Sequence, residues 1–452
     1  MKRASYLAFG LSASLLAACA PMVPYVAPEI AAPANFGGDV AAKPATAAWW
    51  TAFRDPVLTQ MIDLGLAQNL DVKLAVARIK EAEANAGVAA SGDYPQLGAS
   101  ASGGRSDPTG AGAVTAGSGT ASVSWMLDLF GRNASAKAAS RAQLDAAYAG
   151  AGVARIAIAG AIAETYVDLR YYQNRIALTR QSRTSRQKTA ELIQSTFAAG
   201  AATKLDTLRA EQLIAIADAQ LPSLEVGYAR ATNRLATLTG QPVASLEATL
   251  TKGAAQPVPR FRASVGVPAE VLRQRPDIIA AERNYAAAVA MVGVAKADLY
   301  PSLVLGGTVT ASGVQGGASA TTWSFGPALN LPIFSGGRVK ANLSAAESRA
   351  QQAHLGWQAA VLNAVEEIRN ALAAYARDGR NMAAQEKLTD ISQQTLDLAR
   401  SSFEIGEGDF LSVLEAERTL LDARAALSEA SRARALNFIR LGVATAGATP
   451  FN

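Results

Sequence analysis

The chain has one cysteine and one histidine among its 452 residues. With no second thiol, Cys19 cannot form an intrachain disulfide. His354 stands inside a helical pattern without metal-ligand companions, and no glycine-rich phosphate loop opens a helix after a strand. Together these absences argue against an enzyme and against a bound metal. Aromatics make up only 6% of residues, and the formal charge of +5 is small for this length. No basic cluster interleaved with aromatics appears, so there is no nucleic-acid footprint. Past the N-terminus, no run reaches the roughly 18 uncharged apolar residues that a spanning helix needs, and Arg155 and Glu164 bracket the nearest candidate. If this chain crosses a membrane, it does so as strands.

What is abundant is alanine, in a chain that is 50% apolar. Alanine has the best helix propensity and lets backbones approach closely, which suits long packed helices. The N-terminus reads as a targeting segment: a basic start, an apolar stretch from Tyr6 to Ala18, then small residues. It ends in Leu16-Ala17-Ala18-Cys19, which resembles the bacterial lipoprotein box. That resemblance implies cleavage after residue 18, a covalent lipid on Cys19 and no other cofactor. Ala20, in place of aspartate, implies sorting to the outer membrane.

The chain is one unit written twice. "QSTFAAGAATKLDTLRAEQ" (194–212) is answered by "RSSFEIGEGDFLSVLEAER" (400–418), with Phe197, Gly200, Leu205 and Glu211 matching Phe403, Gly406, Leu411 and Glu417 at an offset of 206. The same offset relates Asp71 to Asp277, Gly87 to Gly293, Tyr94 to Tyr300, Pro95 to Pro301 and Arg132 to Arg338. A single doubling of this size suggests an internal pseudo-two-fold. Each copy reads as helix, two strands, very long helix, turn, helix. The helix predicted over 132–199 would be roughly 100 Å long. Those at about 56–92 and 203–240 are each roughly half as long, so stacked end to end they would match it. The second copy repeats this at about 270–299, 338–405 and 409–443, and Pro222 should disturb its helix.

The predicted boundaries are a signal peptide over 1–18, a lipidated segment over 19–55, a first repeat over 56–240, a linker over 241–268, a second repeat over 269–446 and a tail over 447–452. The linker and the N-terminal segment, read as irregular, are expected to wrap the helices at mid-height. Strand hairpins are placed at about 95–128 and 301–332, with the glycine-rich stretches 103–119 and 306–317 as their tips. Their strands have about the length of tilted membrane strands, with Tyr94, Trp125, Tyr300 and Trp323 suited to interface girdles. Alternation alone does not separate these from a soluble hairpin; the lipoprotein signal favours the membrane. Four strands cannot close a barrel, and an open edge cannot face lipid, so a membrane-spanning version must oligomerise.

Taken in order, the lipoprotein box, "WWTAFRDPVLTQMIDLGLAQNLD", "YPQL", "SWMLDLFGR", "RPDIIAAE", "LYPSL", "LPIFSGGR" and "FEIGEGDFLSVLEAER" resemble the TolC-type outer-membrane factors. The resemblance is to their lipoprotein branch, which serves resistance-nodulation-division efflux systems, and it runs from Leu16 to Ala448. It implies a mainly α fold with a transmembrane β-barrel: a homotrimer whose long antiparallel helices form an α-barrel and whose strands, four per subunit, share one twelve-stranded barrel. It also implies a passive exit duct in the outer membrane of a Gram-negative bacterium. Its partners would be a periplasmic adaptor and an inner-membrane transporter of the resistance-nodulation-division type. Small molecules such as drugs would be the cargo. Protein secretion, or a non-channel coiled-coil lipoprotein, are the competing readings.

The same resemblance assigns candidate residues. The periplasmic gate falls on Asp206, Glu415 and Asp409, with Arg418 placed to pair with Glu415 on one helical face. Three copies of a carboxylate around a constriction would favour cations. Relatives often carry aspartate where this chain has Glu415, and a further acidic position is Ser412 here. Phe197, Gly200, Leu205, Phe403, Gly406 and Leu411 match the tips that contact the adaptor. For the acids the plainer reading is a solvated helix face, and for the tips an ordinary packed turn closed by glycine.

Overall fold

A computed structural model describes residues 23–30, 36, 48–107, 110, 112–260 and 268–446. Cys19, the signal segment and the tail after residue 446 lie outside the described residues. The helices are α1 (Pro56–Gln68), α2 (Leu70–Ser91), α3 (Arg132–Ala198), α4 (Lys204–Thr239), α5 (Val243–Leu250), α6 (Pro268–Gln274), α7 (Pro276–Ala297), α8 (Arg338–Glu404) and α9 (Phe410–Thr445). The strands are β1 (Gln96–Ser106), β2 (Val114–Leu127), β3 (Ser302–Val314) and β4 (Ser319–Asn330). Two compact units divide the chain. One holds Ala77–Ala149 and Ile278–Ala360 together with the segment up to Glu29; the other holds Ile30–Val76, Gly150–Asp277 and the chain from Val361 onward.

The first unit carries the sheet, an antiparallel meander in the order β1-β2-β3-β4. Its central pairing joins the two repeats, with Trp125 opposite Leu305 and Leu127 opposite Leu303. Most of the glycine-rich stretches lie inside strands rather than at tips, which corrects the expectation. Gly103 pairs with Gly117, and Gly306 and Gly307 belong to β3. Small residues facing one another let paired strands run long without side-chain crowding, and the actual turn after β3 is short, with Gly316 at a φ of 76°. β1 and β4 are open edges, and nearly all their side chains are exposed.

In the same unit, Tyr25 from the N-terminal segment packs on Ala142, Ala286 and Ala287, stacks edge-on to Tyr285 and bonds Glu282 through its hydroxyl. His354 lies between Tyr285 and Trp357.

The second unit has its main core where α1, α3, α4 and α9 meet, around Leu58, Ile62, Ile162, Tyr166, Leu235 and Ile439. Two helices predicted as continuous are interrupted. The one over 56–92 breaks at Asn69, whose backbone leaves the helical region with ψ 137°. The one over 270–299 breaks at Arg275, before Pro276, because the residue preceding a proline is driven out of the helical region. These breaks are joints. Asn69 caps α2 by accepting from Asp71 and Val72, while its amide donates to the Leu238 carbonyl at the end of α4 (2.9 Å). Arg275 donates to the Ala444 carbonyl at the end of α9 (2.8 Å) and pairs with Asp277 and Glu367. Both the donors and the carbonyls stand 206 residues apart.

The linker is less irregular than expected, because α5 buries Leu246 and Leu250. It is lashed to α3 by Arg170, which donates to the Lys252 carbonyl (2.7 Å) and to the Tyr166 hydroxyl (3.0 Å), and by Gln173, which donates to the Leu250 carbonyl. Tyr166 in turn donates to Asp55, the residue that caps α1 (2.7 Å). The helix α4 continues through Pro222.

Candidate functional site

The two turns between long helices are the candidate site, and both are built alike. At the end of α3, Gly200 adopts a φ of 78°, its amide donates to the Phe197 carbonyl and Ala201 donates to Thr196. At the end of α8, Gly406 adopts 80°, its amide donates to Phe403 and Glu407 donates to Ser402. This is the Schellman closure, and the positive φ is why glycine stands at both places. Three residues on, each following helix is capped by an equivalent side chain. Thr203 accepts from the Asp206 amide (3.2 Å), and Asp409 accepts from the Ser412 amide (2.7 Å).

These caps redefine two of the gate candidates. Asp206 closes a capping box: its carboxylate accepts from the Thr203 amide (3.0 Å) and hydroxyl (2.6 Å), with Arg209 at 3.8 Å. The hydrogen bonds from Thr203 hold its carboxyl below the usual range. Asp409 spends one oxygen on its own helix start. Glu415 differs, because it is exposed and pairs with Arg418 at 3.0 Å, the i, i+3 contact expected from the sequence. Of the tip residues, Phe197, Leu205 and Leu411 are exposed apolar side chains, whereas Phe403 packs on buried Phe410. Beneath the turns lies a small core of Ile193, Ala210, Leu396, Phe410, Val413 and Leu414.

Sequence reasoning missed a buried charge next to this core. Glu417 is 5% exposed, accepts from Thr189 of α3 (2.9 Å) and pairs with Arg400 of α8. Arg400 also donates to Ser185 (2.6 Å), and Arg186 donates to the Leu213 carbonyl (2.7 Å). Glu417, Arg400, Ser185 and Arg186, with Arg424, line a cavity of about 170 Å³. Burial lowers the Arg186 pKa, against the pull of Glu417 and Asp422. The available signal was Glu417 as the repeat partner of exposed Glu211. Among the described residues, no group of three or more His, Cys, Asp or Glu could hold a metal.

The doubling, the paired turns and the membrane-length hairpins meet in one comparison. A profile of the family described as "Outer membrane efflux protein" matches residues 61–241 and again 267–447, so the two matches stand one repeat apart. The chain belongs to this family. Nodulation protein T of Rhizobium leguminosarum bv. trifolii is 40% identical over 448 residues, covering 95% of this chain and 94% of that protein. Outer membrane protein OprJ of Pseudomonas aeruginosa is 32% identical, covering 97% and 96%. The solved structure of the outer-membrane channel OprN superposes with a TM-score of 0.85 at 30% identity, covering 95% of this chain and 98% of that one. This outer membrane efflux protein is therefore a Gram-negative outer-membrane channel, mainly α-helical with four antiparallel strands. It acts as an efflux exit duct.

Proposed function

We propose that three copies of the chain form one duct that receives small molecules from an inner-membrane transporter and a periplasmic adaptor, and releases them outside the cell. The observation that carries this is the sheet. It has four strands, a meander with both edges unpaired, and edges cannot face lipid until they meet other copies. An even-stranded antiparallel meander brings β4 of one copy antiparallel to β1 of the next, so repetition closes a ring. Three copies would give a twelve-stranded barrel, the size that the TolC-type resemblance implies. A lipid on Cys19 would add a second hold on the membrane. The adaptor would meet the tips, where Phe197, Leu205 and Leu411 offer apolar surface.

Glu415 is the gate candidate whose carboxylate caps no helix start. Repeated around a narrow mouth, it would draw cations. Single-channel recording of the purified protein in a planar bilayer tests this. Small stable steps altered by multivalent cations are expected, and Glu415→Ala should weaken that cation effect. Conduction indifferent to both cations and Glu415→Ala would remove the gate.

A further inference from the structure

Among the described residues, one ring stack has no counterpart in the other repeat, although the repeat demands one. Where β2 leaves the sheet, Phe130 stacks on Tyr300, which precedes β3; their centroids are 4.8 Å apart and their planes 12° apart. This contact joins the hairpin of the first repeat to the hairpin of the second. Tyr300 has its equivalent in Tyr94, 206 residues earlier, just before β1. Phe130 of "DLFGR" has its equivalent in Phe334 of "PIFSGGR", just after β4. Neither equivalent is satisfied. Phe334 is 90% exposed, Tyr94 is 68% exposed, and among the described residues no ring stacks on either. The strand register repeats the pattern. Leu127 faces Leu303 across the central pair, and their equivalents Leu331 and Leu97 are 53% and 81% exposed.

We infer that Phe334 of one copy stacks on Tyr94 of the next, with Leu331 opposite Leu97, as the seam between subunits. The inference deepens the trimeric duct reading and rests on it. The occupant is a second copy of this chain because both halves of the unsatisfied contact flank the two open strand edges. The end of β4 and the start of β1 are the points that an antiparallel edge pairing brings together. A lipid-facing role would not require the two sites to match a contact already made within the chain. It would also leave the unpaired edges unexplained. The seam between copies thus copies the seam between repeats, two residues of extra loop after Phe334 being the main local departure.

Cysteine crosslinking in full-length protein in outer-membrane vesicles tests the register. Leu97→Cys with Leu331→Cys should give covalent dimers and trimers on non-reducing gels, each single substitution none. Ala99→Cys with Leu331→Cys, one step out of register on the same face, should crosslink much less. Phe334→Ala and Tyr94→Ala should each lower the temperature at which the detergent-resistant trimer dissociates, and the double variant should fall no further than the worse single one. Intact trimers with the out-of-register crosslink stronger, or fully additive losses, would overturn the seam while leaving the duct standing. Folded, inserted protein that shows no species larger than one chain would overturn both.

Discussion

Single side chains at the turns carry two loads, and the consequences separate them. Asp409→Ala removes the cap of α9, at a cost of about 0.5–2 kcal/mol. Faster amide exchange confined to residues around 410–413 should report it, with the distant core unchanged. Asp206 behaves differently with pH. Its carboxyl is depressed in the folded state by Thr203, so its contribution is present above the unfolded carboxylate pKa. It is lost as pH falls through the lower folded value, and Asp206→Asn should blunt that acid-side loosening of the first turn, read by exchange from pH 5 downward. Glu417 is the costly one to lose, because breaking a buried pair leaves a charge uncompensated. Glu417→Ala should loosen the hold of α9 on α3 and α8, by about 3 kcal/mol or somewhat less, since Arg400 keeps a route to solvent. Limited proteolysis near the tips should show it, with Glu417→Gln retaining the Thr189 bond and losing less.

At the scale of elements, the joints at Asn69 and Arg275 do the same work by different chemistry. Asn69→Ala removes a cap and one interhelix bond, about 1–2 kcal/mol. Arg275→Ala should cost more, because the buried guanidinium joins Asp277, Glu367 and the Ala444 carbonyl at one point. Comparing the two variants by thermal unfolding tests the ranking, and Arg275→Lys should recover only part of the loss because one ammonium cannot reproduce the fork.

These joints also show what the sequence could reveal. The doubling was plain because Phe197 and Phe403, or Tyr94 and Tyr300, kept residue type at a fixed offset. The joints were hidden because Asn69 and Arg275 share a position and a carbonyl partner but not a residue type. The Arg400–Glu417 pair was hidden because its members sit on different helices, beyond any i, i+4 rule. The small helix α5 was masked by flanking prolines that resemble linker. The glycine-rich strands read locally in part as turns, because pairing rather than local propensity decides them.

For the molecule as a whole, the contrast between unbroken and jointed helices governs how an error in chain length is felt. α3 and α8 are each 67 residues without interruption. Deleting one residue from the middle of either turns everything beyond it by about 100°. Every apolar face past that point would then be out of phase, and assembly should fail outright. Between α4 and α2 no continuous helix runs, and Asn69 joins them through its bond to the Leu238 carbonyl. A deletion near the C-terminal end of α4 should therefore be absorbed at the joint and the adjoining linker. The chain is thus strict about its length on one track and forgiving on the other. Insertions and deletions that survive in functional descendants should gather beside residues 69, 240, 275 and 446.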